Sequence, residues 1–546
     1  MDNVRIAVDV GGTFTDIALE HAEGMTTKKV LTTPGKPEEG VLSGIQSALT
    51  EANISPSEIK ILIHGTTLAT NALIERKGAK VALITTEGLR DSVEMAQENR
   101  FEQYDINIDR PKPLVPRYLR WGIRERMNVN GEVLIQLEDK SIEQLLPMID
   151  KNQIEAIAIG LIHSYANSMH EEKIAERLSA ARPDLSITLS SQVCPEIREY
   201  ERQSTACANA YVQPLMSRYL TKLDEALQSM GLMCPFLLMT SGGGLTTLDT
   251  SIKFPVRLVE SGPAGGAILA TEIAKECGID NVLSFDMGGT TAKICLIDDY
   301  TPQMTRTFEV ARVYRNLKGS GLPLRIPAIE MVEIGAGGGS IAKVDDMKRI
   351  SVGPESSGAS PGPACYGQGG LDATVTDADV ILGRIDPKDF AGGAVKLAPE
   401  KADLVLQKAV GDQLSLDSSL SAFGVSEIVD ENMANAARVH AIEWGKDISA
   451  RSMIAFGGAA PLHALRLAEK LDINKVIIPA GAGVGSAIGF LRAPISYEVV
   501  RSRYMSLQYF DPDVVNELMK EMSEEAREIV TSGSDASELK EQRLAY

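Results

Sequence analysis

Several features that place a protein quickly are missing from this chain. No stretch of about 18 uninterrupted apolar residues occurs, so no transmembrane helix is expected. The first residues have no basic region followed by an apolar run and a small-residue cleavage site, which argues against a secretory signal. Cysteine is scarce, with Cys194, Cys207, Cys234, Cys277, Cys295 and Cys365 scattered and no CxxC pair. That excludes a disulfide frame or a structural zinc site and fits small core residues in a reducing, cytoplasmic compartment. The histidines form no HxxxH pair. Basic residues are in deficit, 55 Lys+Arg against 74 Asp+Glu, for a net charge of −19. This argues against nucleic acid or an anionic membrane as a partner. Neither GxxxxGK[ST] nor GxGxxG occurs, so the common nucleotide folds lack their signatures.

Glycine is plentiful, at 47 of 546 residues, and 44% of residues are apolar, enough for a sizeable core. Aromatics are only 5%. This balance suits an α/β enzyme whose backbone approaches a ligand closely. Length alone suggests about three domains, at about 100–200 residues each. Arg5–Val10 reads as a strand running into Gly11-Gly12, and Phe14–Leu19 as its return. Pro37–Ala52, Asp139–Asn152 and Met169–Ala181 read as helices; Ile61–Ile63, Val81–Thr85 and Ala156–Ile162 read as buried strands. Sheets covered by helices follow. Pro195–Met230 reads as a long helix, and strand-then-glycine units recur after it at Phe236–Met239, Val282–Phe285, Met331–Ile334 and Met453–Phe456. Gly353–Gly370 reads as loop, and Pro512–Thr531 as a helix in a more polar tail. These shifts divide the chain into 1–190, 191–495 and 496–546.

One internal comparison is informative. Offset by 277 residues, Asp9–Leu19 lies over Asp286–Leu296 with six of eleven positions identical. Each copy is a strand, a glycine turn and a second strand. Glycines there permit φ > 0 and remove the Cβ that blocks close approach. Successive N–H groups can then face a phosphate, and the threonine hydroxyl adds a donor. The aspartates suit Mg²⁺ bridging to that phosphate. Gly11, Gly12 and Thr13 with Gly288, Gly289, Thr290 and Thr291 are therefore the expected phosphate residues, and Asp9 and Asp286 the metal ligands. A plain glycine-tipped hairpin accounts for one copy equally well, but less well for two in equivalent places. Gly457, Gly458 and Ala459 follow a strand and precede a helix read over Leu462–Leu471. They suit adenosine lying against small residues, or a close strand–helix turn.

The two hairpins and the Phe456–Ala459 turn resemble the phosphate and adenosine loops of the superfamily of acetate and sugar kinases, seventy-kilodalton chaperones and actin. That resemblance implies two ribonuclease-H-like (actin-like ATPase) domains around an ATP cleft. More narrowly, Asp9–Asp16, Gly65–Leu73, Glu196–Pro214, Glu260–Gly266, Phe285–Thr291, Glu333–Ala342, Pro361–Gly370, Thr374–Ala378 and Phe456–Ala464 resemble the hydantoinase A / 5-oxoprolinase family. Residues 1–190 then correspond to its N-terminal domain and 191–495 to its core domain. The resemblance implies ATP- and Mg²⁺-dependent opening of a cyclic amide such as a hydantoin or 5-oxoproline, alone or with a hydantoinase B-type partner subunit in an oligomer. It equally admits the ATP-using subunit of an acetone- or acetophenone-type carboxylase. A non-catalytic ATP-switched scaffold is the alternative from another class. Ala460 stands where the family usually has glycine, and the family usually continues about a hundred residues further. Leu544-Ala545-Tyr546 accordingly reads as the start of a strand in a truncated C-terminal extension.

Other residues carry open readings. Gly337, Gly338, Gly339 and Ser340 suit an anionic substrate or phosphoryl group, or a flexible loop. Glu260–Gly266 opens an apolar helix read over Ala267–Cys277 and suits an anion or an interdomain crossover. His64 is the catalytic candidate, against a structural histidine. Lys293 suits a phosphate contact or a surface role. Arg100, Arg110, Arg117, Arg120, Arg124 and Arg126 suit substrate steering or ordinary ion pairs. Cys365 reads as structural.

Overall fold

The computed structural model describes residues 4–33, 35–312, 318–390, 393, 395–533 and 542–544. The first sheet has the strand order Leu245–Thr247, Phe236–Met239, Ile61–Thr66, Arg5–Val10, Phe14–His21, Gly24–Leu31. The second runs Thr301–Pro302, Ala292–Asp298, Asn281–Met287, Ser452–Phe456, Val476–Ile477, with Val332–Ile334 also paired to Ala292–Asp298. Five strands correspond one to one. In each sheet three antiparallel strands, joined as hairpins, are followed by two parallel ones. The 277-residue repeat thus extends from one hairpin to two whole ribonuclease-H-like sheets. The first sheet takes strands from both sides of residue 190, so the boundary read there falls inside its span of chain.

Inserted in the first half is a four-stranded parallel sheet, Ser186–Leu189, Ala156–Gly160, Val81–Thr86, Arg120–Ile123. Val81–Thr86 and Ala156–Gly160 are buried along their whole length, as parallel strands covered on both faces must be. The helix Glu199–Ser229 packs on it and plugs the gap between its central strands. The Gln203 amide donates to Thr85 Oγ1 at 2.9 Å and to the Gly160 carbonyl at 2.8 Å.

Several boundaries differ from expectation. The long helix starts at Glu199 because Arg198 sits at φ +92°, outside helical space. Asp139–Asn152 is two helices, Asp139–Glu143 and Leu145–Asn152, because Pro147 lacks the N–H that would bridge them. Gly353–Gly370 is not all loop: Ile350–Ser356 pairs with Ser340–Val344, and Ala364–Tyr366 is a 3-10 turn. The helix after Glu260 already begins at Ser261, through Gly262, Gly265 and Gly266. The tail helix spans Pro512–Ser532, while Ala545 and Tyr546 of the expected strand lie outside the described residues.

The helix Ser261–Cys277 lies between the sheets and crosses the short helix Gly485–Phe490. A Cβ on Gly489 would stand 2.6 Å from the Gly265 carbonyl carbon, and nearer still to its oxygen. Only hydrogen there allows so close a crossing.

Candidate functional site

Both hairpins turn in the same way. The Gly11 N–H donates to the Phe14 carbonyl at 2.9 Å, and the Gly288 N–H to the Thr291 carbonyl at 3.1 Å. None of the four hairpin glycines has a positive φ, contrary to expectation. Their use is the missing Cβ: the space beside Gly12 and Gly288 is open. The loops face each other, since a Cβ on Gly289 would lie 3.5 Å from Thr13 Oγ1. Gly458 is also open to the cleft, whereas Gly457 has φ +95° and a Cβ there would come 2.6 Å from the Met287 carbonyl oxygen. The Ala459 N–H donates to that same carbonyl at 2.9 Å, tying the expected adenosine turn to the second hairpin. The helix after it begins at Ala460 rather than Leu462.

The helix Ser261–Cys277 passes beneath both aspartates. A Cβ on Gly262 would lie 3.1 Å from Asp9 Oδ2, and one on Gly266 3.5 Å from Asp286 Oδ2. Asp9 Oδ1 is out of reach of solvent and has no hydrogen-bond partner. Loss of water around it, then repulsion from Asp16 and Asp286, raise the Asp9 pKa to about 7, against the pull of Lys29 and Lys293. Burial raises Asp286 to about 6. Asp16 faces Asp9 across the hairpin and is bound by Lys29 Nζ at 2.6 Å. At the matching place the second hairpin pairs Asp286 with Lys293. Lys293 is not a surface residue: its Nζ meets Glu260 at 2.7 Å and Glu333 at 3.5 Å. Burial opposes its charge, but the glutamates outweigh that and raise its pKa.

Two carboxylates short of positive charge, one with an orphaned oxygen, fit a cation. Among the described residues no group of three or more His, Cys, Asp or Glu side chains forms a metal cage. That suits Mg²⁺, which takes one or two carboxylates and fills its shell with water and phosphate oxygens.

The Gly335–Ser340 loop meets the second hairpin directly. The Gly338 N–H donates to the Gly288 carbonyl at 3.0 Å and the Gly339 N–H to the Gly289 carbonyl at 2.6 Å. Ser340 Oγ accepts from the Gly337 N–H at 2.9 Å, and the Thr376 N–H holds the Gly338 carbonyl at 2.7 Å. These N–H groups brace the hairpin and are not free for an anion. His64 is fully buried, with Nε2 3.0 Å from Tyr219 Oη, and burial lowers its pKa to about 4. Gly65 is the register partner of Asp9, so His64 points to the opposite face of the sheet. Arg117 pairs with Asp91 and Arg120 with Glu94, while Arg100 and Arg110 donate to nearby backbone carbonyls. Arg124 is exposed and Arg126 half-buried. Cys365 is buried and its thiol pKa is pushed up by burial and by Asp377.

Sequence reasoning passed over a buried triad beside the adenosine turn. His463 Nδ1 lies 2.7 Å from Asp430 and Nε2 3.2 Å from Asp379. Burial disfavours the imidazolium, but the two aspartates outweigh it and raise its pKa to about 9. The partners lie far away in sequence, so no local spacing announces them. Asp16 was legible: a turn centred on Gly12-Thr13 pairs it with Asp9.

Comparison with known proteins agrees with this geometry. The family described as Hydantoinase/oxoprolinase matches residues 202–499, and the Hydantoinase/oxoprolinase N-terminal region matches residues 5–181. An uncharacterized protein of Methanocaldococcus jannaschii is 36% identical over 99% of this chain and 80% of its own. Caprolactamase subunit alpha of Pseudomonas jessenii is 33% identical over 95% of this chain and 75% of that subunit. The crystal structure of that ATP-dependent caprolactamase superposes with a TM-score of 0.82, 32% identity and coverage of 97% and 77%. Nucleotide-free acetone carboxylase also superposes with a TM-score of 0.82, at 26% identity, covering 98% of this chain and 78% of that one. Among the described residues no helix is long and apolar enough to cross a membrane. On its sequence motifs, its paired sheets and these matches, the chain belongs to the hydantoinase/oxoprolinase family.

Proposed function

We propose that the chain binds MgATP between its hairpins and uses it to activate a cyclic amide, of the hydantoin or 5-oxoproline kind, for ring opening. The observation that carries this reading is the pair Asp9 and Asp286, partnerless or short of cations, at the tips of two facing glycine hairpins. An amide carbonyl is a poor electrophile. Transfer of a phosphoryl group to its oxygen, with departure of ADP, opens the ring carbon to water, whose attack expels phosphate. Such transfer asks the protein for positioning and charge neutralisation. Gly11, Gly12, Thr13, Gly288, Gly289, Thr290 and Thr291 take the phosphates in this reading. Gly457, Gly458 and Ala459 take the adenosine, and Asp9 and Asp286 hold Mg²⁺, which supplies charge neutralisation. Gly337, Gly338, Gly339 and Ser340 act by bracing the second hairpin. His64, on the far face of the sheet, has no part in the chemistry. A partner subunit of the hydantoinase B type carries the hydrolytic step; the caprolactamase relative is likewise one subunit of its enzyme.

The test is phosphate release by the purified chain, with and without that partner, across a panel of lactams and hydantoins. Turnover should require the amide and vanish in Asp286→Asn. No heat of ATP binding in calorimetry would remove the proposal. A second reading, the ATP-using subunit of a ketone carboxylase, is favoured by the equal TM-score of acetone carboxylase. Phosphate release that depends on bicarbonate and a ketone, and not on any lactam, would select it.

A further inference from the structure

A cleft of about 320 Å³, open at its mouth, lies away from the hairpins, where the segment Gln192–Glu196 meets Val499–Arg501. Arg257, Arg306, Arg325 and Arg501 line it, against Glu196 and Glu525. Its acidic groups are already engaged. Glu196 is held by Arg306 at 2.7 Å and Arg325 at 3.1 Å, and Glu525 by Arg501. Glu498, nearby, pairs with Arg306. Glu201, 3.9 Å from Arg325, is taken by Gln97 at 2.7 Å.

Arg257 is left over. Among the described residues it has no carboxylate partner. Its Nη1 donates to the Glu498 carbonyl at 3.1 Å, and its guanidinium lies 4.3 Å from the Tyr497 ring centre. Its backbone is fixed, since its carbonyl accepts from the Ser241 N–H at 2.9 Å and hydroxyl at 2.8 Å. Its other N–H groups have no hydrogen-bond acceptor among the described residues. The Nε groups of Arg306 and Arg325 are likewise buried without an acceptor. Burial lowers the Arg257 pKa, as expected of a guanidinium enclosed without its counter-charge. Such a group is costly until an anion joins it.

We propose that this cleft binds a small monoanionic carboxylate, with Arg257 as its main contact and the Nε groups of Arg306 and Arg325 as further donors. A planar guanidinium presents a fork that matches a carboxylate. One surplus positive charge suits a monoanion better than a dianion. No hairpin, aspartate or adenosine-turn residue lines the cleft, so the inference stands apart from the proposed amide chemistry.

The test titrates acetate, sulfate and chloride into the full chain at constant ionic strength, followed by calorimetry and by thermal unfolding. Acetate should bind saturably and more tightly than sulfate, and Arg257→Gln should weaken it about tenfold or more. Lys36→Gln, at an exposed site, should bind acetate as the parent does. Should Arg257→Gln fail to fold, Arg257→Lys keeps the charge, loses the fork and should also weaken acetate. Shifts equal for all three salts, tighter sulfate than acetate, no saturable binding, or undiminished acetate binding in the Arg257 variants would each overturn the inference.

Discussion

Removing the charge of Asp9 should make the nucleotide-free protein more stable while destroying its cation site. The Asp9 pKa stands at about 7, against an ordinary 3.8. A raised carboxyl pKa means that the folded state binds the proton more tightly than the unfolded chain does. Stability from this source is therefore full below pH 3.8 and is lost as pH rises to about 7. A shift of about 3 units is at most about 4 kcal/mol, at about 1.36 kcal/mol per unit. Cleft water and relaxation of Asp16 and Asp286 reduce this, so about 1–2 kcal/mol is expected for Asp9→Asn above neutrality. The assay is scanning calorimetry of both proteins from pH 4 to 8. The variant should gain a few degrees in unfolding temperature at pH 8 and little at pH 4. Added Mg²⁺ and nucleotide should stabilise the parent and leave the variant unmoved. A gain independent of pH, or a less stable variant at pH 8, would refute the account of Asp9 as a carboxylate short of positive charge.

Three further outcomes follow from the same geometry. Gly457→Ala meets both a φ of +95° and a Cβ 2.6 Å from the Met287 carbonyl oxygen, so it should cost about 1–3 kcal/mol and weaken ATP in calorimetry; Gly458→Ala, in open space, should change stability little. Gly489→Ala, jammed against Gly265 where two helices cross, should cost about 3 kcal/mol or more in denaturant unfolding, and a neutral result would show that the crossing yields. His463 has its pKa raised to about 9, so the stability it gives is full below about 6.5 and lost as pH rises through 9; hydrogen exchange of the helix Ala460–Lys470 should quicken above pH 9 in the parent, with no such pH step in His463→Gln.

The hairpins were legible because strand, glycine turn and strand are local, and their offset repeats the same local pattern. Elements set by distant contacts were not. Gly262, Gly265 and Gly266 lower helix propensity, and the helix forms through them because Asp9, Phe490 and Phe456 occupy the space where side chains would stand. Gly335–Ser340 reads as a free anion loop by composition, yet its N–H groups are taken by carbonyls about fifty residues back in the chain. The triad of His463 depends on Asp379 and Asp430, brought in by two other helices.

The repeat reproduces the backbone but not the charge, and that difference bears on how a cation would sit. Across the first hairpin Asp9 faces Asp16, another carboxylate; across the second Asp286 faces Lys293, a cation. Lys29 engages Asp16 and also donates to the Gly483 carbonyl at 2.9 Å, so its charge is spent on Asp16 and on the loop before the short crossing helix. Asp286 has a cation opposite it and the lower pKa of the two; Asp9 has the orphaned oxygen and the higher one. Near pH 7 a proton and a cation therefore compete chiefly at Asp9, and cation affinity should rise with pH through about 7 through that residue more than through Asp286. Two hairpins of one ancestry in shape thus hold unequal halves of the same site: one kept short of positive charge, the other already supplied with it.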